Sequence, residues 1–182
     1  RFAEIDQRQG LGHPGLGGIG TMNEPHFLAA PGGVDESRNF EDAEDLTIWP
    51  TFAKAAIEAM RQLDTETPIY LGGNLWSGSW TLPTHNPGFP IVAANLIYEV
   101  HAYIDHTNNG NGADWDLENS KPGAPDVAGL PGVKLINAQT GIDRMRPAVA
   151  YAQQHGLKLA LTETGMPVDD PRWQESWLNL MD

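Results

Sequence analysis

The chain has no cysteine, few basic residues and no long apolar run. Without cysteine there is no disulfide framework, thiolate nucleophile or Cys-based zinc site, and the redox compartment leaves no trace in the sequence. Eleven Lys and Arg against 24 Asp and Glu give a formal charge of -13. That balance repels phosphate backbones and anionic lipid, so it argues against nucleic-acid and membrane-surface partners and suits a neutral or cationic substrate. No stretch reaches the roughly 18 apolar residues that a bilayer-spanning helix needs. What is present is the composition of a globular chain: 182 residues, 40% hydrophobic, with 20 glycines and 14 prolines. The length suits one domain. Its ends suit a piece of one, because it opens on Arg1-Phe2-Ala3 with neither an initiator Met nor a secretory pattern and stops at Met181-Asp182 within a helical pattern.

The glycine-rich apolar segment Leu16 to Met22 reads as a short buried strand, halted at Asn23-Glu24-Pro25. An acidic stretch with Asp35, Glu36, Glu41, Asp42, Glu44 and Asp45 against Arg38 reads as a solvated loop. From Trp49, the positions Phe52, Ala53, Ala56, Ile57, Met60 and Leu63 follow helical spacing, with Thr47 as cap and Pro50 near the first turn. Pro68 to Gly73 and Asn95 to Tyr103 read as further strands, and the prolines and glycines between Asp105 and about Gly132 argue against a regular element there. Gly141 to His155 reads as a helix with Ile142, Met145, Ala148, Val149 and Ala152 on one face and Gly156 as its stop; Pro147 either starts its regular part or bends it. Leu157 to Glu163 is a fourth strand, and another helix begins near Pro171. Alternating strands and helices imply right-handed crossovers and a parallel sheet. Four strands are half of the eight that close a (β/α) barrel of about 250 residues. No internal repeat and no linker divides the chain.

Polar groups gather at the C-terminal ends of the strands: Asn23 and Glu24 after the first, His101 and Tyr103 on the third, Glu163 on the last. Ligands bind at that edge of a parallel α/β sheet, where the loops converge. Side chains two apart share a strand face, which groups Glu99, His101 and Tyr103. Burying such a row without a use would be costly. Taken singly, Glu24 and Glu163 read as surface or capping carboxylates. Together, if their strands close around one axis, they form the acid and ionised carboxylate that cleave a glycosidic bond. The loop Asp105 to Asp116 carries oxygen-bearing side chains at alternate positions before a glycine, as calcium loops do, but ends in Asp rather than Glu and follows a strand; it reads as a substrate-side loop with a calcium alternative.

The strings Gly-Thr-Met-Asn23-Glu24-Pro25-His26, Ile-Tyr-Glu-Val-His101-Ala-Tyr103 and Leu-Thr-Glu163-Thr-Gly, with Gly-Gly-Asn74-Leu-Trp76-Ser-Gly-Ser-Trp80, resemble in order and spacing four motifs of the glycoside hydrolase family 5 cellulases. The resemblance implies a (β/α)8 TIM barrel of which this chain supplies roughly strand 4 to helix 7, residues 1–182 forming part of a single glycosidase catalytic domain. It implies a secreted retaining glycosidase, foremost an endo-β-1,4-glucanase. The same chemistry on mannan, xylan or β-1,3-glucan, and a carbohydrate-binding remnant without turnover, stand as alternatives. By the same resemblance Glu24 is the acid/base and Glu163 the nucleophile. Asn23 bonds the sugar 2-hydroxyl, Tyr103 holds Glu163 and His101 orients the substrate or the acid. Asn74, Trp76 and His26 are candidate sugar contacts, Trp80 and Trp115 weaker ones, and Glu99 a partner behind His101; the alternatives are packing for Trp80 and Trp115, a loop or capping role for His26, and an ordinary barrel tyrosine and core histidine for Tyr103 and His101. No cofactor and no metal is implied. Partner expectations are a β-linked polysaccharide or oligosaccharide and, for the isolated segment, a complementing chain that supplies the remaining strands.

Overall fold

A computed structural model describes residues 16–26, 28, 44–121 and 135–182. The acidic run Asp35 to Asp42 and part of the long loop, 122–134, lie outside the described residues. The elements run β1 Ile19–Gly20, α1 Ile48–Arg61, β2 Ile69–Leu71, β3 Leu96–His101, α2 Trp115–Ser120, α3 Thr140–His155, β4 Lys158–Glu163 and α4 Pro171–Met181. All strand pairs are parallel and the spatial order is the chain order, β1-β2-β3-β4. Steady winding in one direction is barrel progression, whereas a doubly wound sheet would reverse at a switch point.

The strands bury their helix-side face. On β3, Leu96, Tyr98 and Val100 join Trp49, Ala53 and Ile57 of α1, Ile69 and Leu71 of β2 and Ala148 of α3 in one core cluster. Period 2 then turns Ile97, Glu99 and His101 to the opposite face. A smaller cluster of Ile104, Ile136 and fully buried Trp173 lies under the chain that follows β3. Arg61 fastens the end of α1 by donating to the carbonyls of Ala94 (2.7 Å), Asp64 (2.9 Å) and Thr67 (2.9 Å).

Several local expectations are corrected. Phe52, Leu63 and Val149 are exposed at 67%, 54% and 39%, and Ala56 is exposed too, so these positions of the expected stripes are not covered by the described part of the barrel. Thr47 occupies the cap position without a side-chain cap bond; its hydroxyl donates to Asp45 Oδ1 at 2.6 Å instead. α3 runs through Pro147 from Thr140, so proline does not start it, and Gly156 ends it with φ 64°. The long loop contains a helix after all: Asp114 Oδ1 accepts from Leu117 N at 2.9 Å and caps α2, whose first turn carries Asp116 and Glu118. An N-cap acid with acids behind it outweighs the surrounding glycines.

Candidate active site

The four strands bring the chemistry-bearing residues to one edge. After β1, the chain turns at Glu24 with φ 45°, directly before buried Pro25. A left-handed backbone at a non-glycine residue persists only where its neighbours hold it. The Glu24 carbonyl accepts from His26 Nδ1 at 2.5 Å, Trp76 N–H donates to the Pro25 carbonyl at 3.2 Å, and the His26 and Trp76 rings stack with centroids 4.8 Å apart at 18°. Trp76 itself belongs to a left-handed turn, with φ 57°, 57° and 54° at Leu75, Trp76 and Ser77.

The end of β3 is held on both edges. His101 N donates to the Ser77 carbonyl at 2.8 Å and the His101 carbonyl accepts from Ser79 at 3.2 Å, while Ala102 N reaches the Glu163 carbonyl at 3.1 Å. Between Val100 and His101 the register with β4 slips: Val100 pairs with Leu161, and His101 with Glu163. Strict alternation would put Glu163 on the Leu159 and Leu161 face, behind the sheet. The bulge leaves Thr162 unpaired and turns Glu163 to the His101 side, a use of bulges common beside active sites.

The result is a compact acidic constellation. His101 Nδ1 lies 2.8 Å from Glu24 Oε1 and 3.6 Å from Glu163 Oε2, and a single atom from each of the three residues lies within 4.8 Å of the other two. Tyr103 Oη donates to Glu163 Oε1. His101 is 5% exposed, whereas the Glu24 and Glu163 side chains are 26% and 39% exposed, open to an incoming ligand. Three side chains this close could meet a cation, but the 2.8 Å hydrogen bond between His101 and Glu24 is a direct contact that needs none. The two carboxylates and the imidazole therefore line one small, partly open space.

A sequence profile of the cellulase family, glycosyl hydrolase family 5, matches residues 16–182. The chain belongs to glycosyl hydrolase family 5. Among solved structures it is similar to the Pseudomonas stutzeri endoglucanase Cel5A in complex with cellobiose, at 31% identity and TM-score 0.72 over 99% of this chain and 44% of that one. The XacCel5A structure in complex with cellopentaose, at 18% identity and TM-score 0.56 over 90% of this chain and 44% of that one, shares the fold. A curated relative, Endoglucanase 3 of Humicola insolens, is 26% identical over 67% of this chain and 32% of its own length. Another, the manganese dependent endoglucanase Eg5A of Phanerodontia chrysosporium, is 25% identical over 56% of this chain and 24% of its own length. The chain thus spans about a quarter to a third of these curated relatives. Its sheet is four parallel strands of a (β/α)8 barrel.

In this family 5 chain the remaining expected residues divide. Asn23 is exposed beside Glu24, and Trp76 is half-buried with one ring face on His26. Asn74, expected on the sugar, is instead fully buried: its N–H donates to Asn86 Oδ1 at 2.8 Å and its Nδ2 to the carbonyls of Leu46 and His85, both at 2.8 Å. It ties the β2–β3 crossover to itself and to the chain before α1 rather than facing the Glu24 and Glu163 side. Trp80 packs over Gly78. Trp115 meets the Trp173 ring edge-on at 4.8 Å and carries the Arg172 guanidinium 5.3 Å from its centroid, both packing roles. Glu99 is 9% exposed, and burial raises its carboxyl above the usual range; the Glu163 charge adds to this while His101 and the Thr162 hydroxyl oppose it. The Tyr103 phenol is pushed up to about 12, first by burial, then by its bond to Glu163 and the charges of Glu163, Glu24 and Asp105.

The calcium alternative for the 105–116 loop gives way to a different design. Asp105 Oδ1 accepts from the N–H groups of Asn109 and Gly110, both at 3.0 Å, and Oδ2 from Gly112 N at 3.2 Å and Thr107 Oγ1 at 3.3 Å. A calcium loop turns oxygens toward an ion, whereas here both carboxylate oxygens are taken by donors of the loop itself. Arg144 and Asn108 carry no sequence signal, yet both bond the main chain of Tyr103.

Proposed function

We propose that the chain carries the catalytic pair of a retaining β-glycosidase, foremost an endo-β-1,4-glucanase, within one catalytic unit. The observation that supports this most is the closeness of Glu24 and Glu163 around His101 Nδ1. Inverting enzymes need carboxyls about 6.5 to 9.5 Å apart to admit a water, whereas retaining ones use about 5 to 5.5 Å. Glu163 Oε attacks the anomeric carbon as the glycosidic C–O bond breaks, and Glu24 gives its proton to the departing oxygen. Water then attacks the glycosyl ester, its proton passing to Glu24, and Glu163 leaves as carboxylate. As Nδ1–H, His101 donates to Glu24 Oε1 at 2.8 Å and orients the carboxyl, leaving Oε2 to carry the proton for the departing oxygen and to take one from water afterwards. The Asn23 amide and the Trp76 indole serve as sugar contacts. Likeness to an endoglucanase solved with cellobiose supports a β-glucan substrate, and an insoluble polymer of that kind supports a secreted enzyme.

Catalysis in this reading draws on further β/α units around the sheet, from the same chain or a complementing one. The test uses the full-length protein on a panel of cellulosic, mannan, xylan and β-1,3-glucan substrates and on an aryl β-cellobioside. Cellulose and cellobioside cleavage with β-configured first product, lost in Glu163→Gln, supports the reading. An α-configured product or undiminished activity in Glu163→Gln overturns the mechanism, and binding without turnover in the parent favours a carbohydrate binder. Hydrolysis by the isolated 182-residue monomer would overturn the need for further units.

A further inference from the structure

β3 ends at His101, so Tyr103 lies beyond the strand, yet its phenol must meet a single carboxylate oxygen of Glu163. Both main-chain polar groups of Tyr103 are bound by side chains. Its N–H donates to Asn108 Oδ1 at 2.6 Å, and its carbonyl accepts from Arg144 Nη1. Arg144 is 0% exposed on α3, and its guanidinium, lowered to about 10 by burial against the opposing charge of Asp105, also donates to the His106 carbonyl at 3.4 Å. Its own carbonyl accepts from Ser79 Oγ at 2.7 Å, which ties α3 to the β2–β3 crossover. Burying a guanidinium is expensive, and its use here is on carbonyls rather than on an acid partner.

The same loop crowds the ring. Gly110 has φ 76°, and a Cβ there would stand 2.6 Å from Tyr103 Cε1; one at Gly165 would stand 3.4 Å away. Gly110 is held in place by its N–H bond to Asp105, and Asn108 adopts φ 55° to bring its amide under Tyr103. Hydroxyl direction in a phenol follows the ring, and the ring follows the backbone and its walls.

We propose that the Asp105–Gly112 loop and Arg144 form a cradle that aims the Tyr103 hydroxyl at Glu163, with Asn108, Gly110 and Arg144 as positioning residues for the nucleophile. The proposal rests on the glycosidase reading for its purpose, though not for its geometry.

Asn108→Gly tests it, since glycine keeps the left-handed backbone and removes only the acceptor under Tyr103. We expect kcat on an aryl β-cellobioside to fall about tenfold, as for a weakened charge-assisted hydrogen bond, with KM within about twofold. The acid limb of kcat/KM moves to higher pH, and Asn108→Asp, which keeps an acceptor, restores most of the rate. In a Tyr103→Phe background the Asn108→Gly loss shrinks below about threefold, because coupled residues are non-additive. An equal loss in both backgrounds, no loss, or no rescue by Asp overturns the cradle. Should Asn108→Gly fail to fold, Gly110→Ala is judged by the same coupling with Tyr103→Phe. The 13Cζ signal of Tyr103, identified by its loss in Tyr103→Phe, reads the phenol without turnover. A shifted signal in Asn108→Gly upholds the cradle even if the parent hydrolyses nothing, and an unmoved signal overturns it even if the parent is active.

Discussion

The two carboxylates of the pair are mounted differently. Glu163 sits on a paired strand with its oxygen held by Tyr103, whose main chain is bonded at both ends to Asn108 and Arg144. Glu24 follows a strand of two residues, on a left-handed turn steadied by a ring stack and by main-chain contacts of its neighbours, and among the described residues its side chain is hydrogen-bonded to His101 alone. The difference matches the tasks that the proposed mechanism assigns to them. A nucleophile must stay on one line to one carbon, whereas an acid/base must serve a leaving oxygen first and a water second. Rigidity is concentrated where a misplacement of an ångström costs most.

The largest effect should come from deleting the groups themselves. Glu163→Gln is expected to lower kcat on the order of 10⁴-fold or more whatever the leaving group, since residues acting as a unit fail together. Glu24→Gln should lose about 10² to 10⁴-fold on cellulose, the range of general acid–base catalysis. That second loss should shrink on an aryl cellobioside whose phenolate departs without a proton. Equal sensitivity to leaving group in both variants would break the asymmetry.

Next in size is support beneath the nucleophile side. Trp173 is 0% exposed, packs with Ile104 and Ile136 and donates Nε1 to the Ala113 carbonyl at 3.2 Å. Trp173→Ala is expected to cost about 3 to 5 kcal/mol in urea unfolding of the full-length protein. Phe52→Ala on α1, at 67% exposure among the described residues, should cost less than Trp173→Ala.

Tyr103→Phe should lower kcat by about 10 to 100-fold, the equivalent of one hydrogen bond to a charge. It also carries a pH signature. The Tyr103 phenol is raised to about 12 in the fold against an ordinary value of about 10. The folded state thus keeps the proton longer, so the stabilisation is complete below pH 10 and is lost as pH rises through 12. Urea midpoints at pH 9 and 11 should therefore fall further for the parent than for Tyr103→Phe. Equal falls would show that neither burial nor the carboxylates around it raise the phenol in the fold.

Most of the fold and the chemistry was legible because both repeat local rules. Strand-helix alternation gave the parallel sheet, and the strings around Glu24, His101, Tyr103 and Glu163 supplied the constellation that geometry then drew together. What escaped was non-local. A bulge is set by pairing between two strands, so nothing in Leu-Lys-Leu-Ala-Leu-Thr-Glu reveals that Thr162 drops out and Glu163 changes face. Arg144 looks like a solvent-facing helix residue because its partners are main-chain carbonyls, which every sequence has. Asn74 has the chemistry of a sugar ligand, and only the path of the crossover shows that its amide is spent on Leu46 and His85.

The smallest effect lies on the acid side, at the start of α1, and it separates two residues that sequence alone would exchange. Thr47 occupies the cap position, but Asp45 Oδ1 accepts both Thr47 N at 3.0 Å and Thr47 Oγ1 at 2.6 Å. Those bonds, the hydroxyl's first, hold the Asp45 carboxyl below its ordinary range. A lowered carboxyl contributes stability that is present above its unfolded value and lost as pH falls through the folded one. Asp45→Ala should therefore lower Tm slightly at pH 7 and leave it unchanged at pH 2. Thr47→Ala should cost less than the roughly 1 kcal/mol of a working cap, because no cap bond exists to remove. A loss in Thr47→Ala larger than in Asp45→Ala would show that the hydroxyl caps the helix in solution, and that this end of α1 is tied more firmly than its contacts imply.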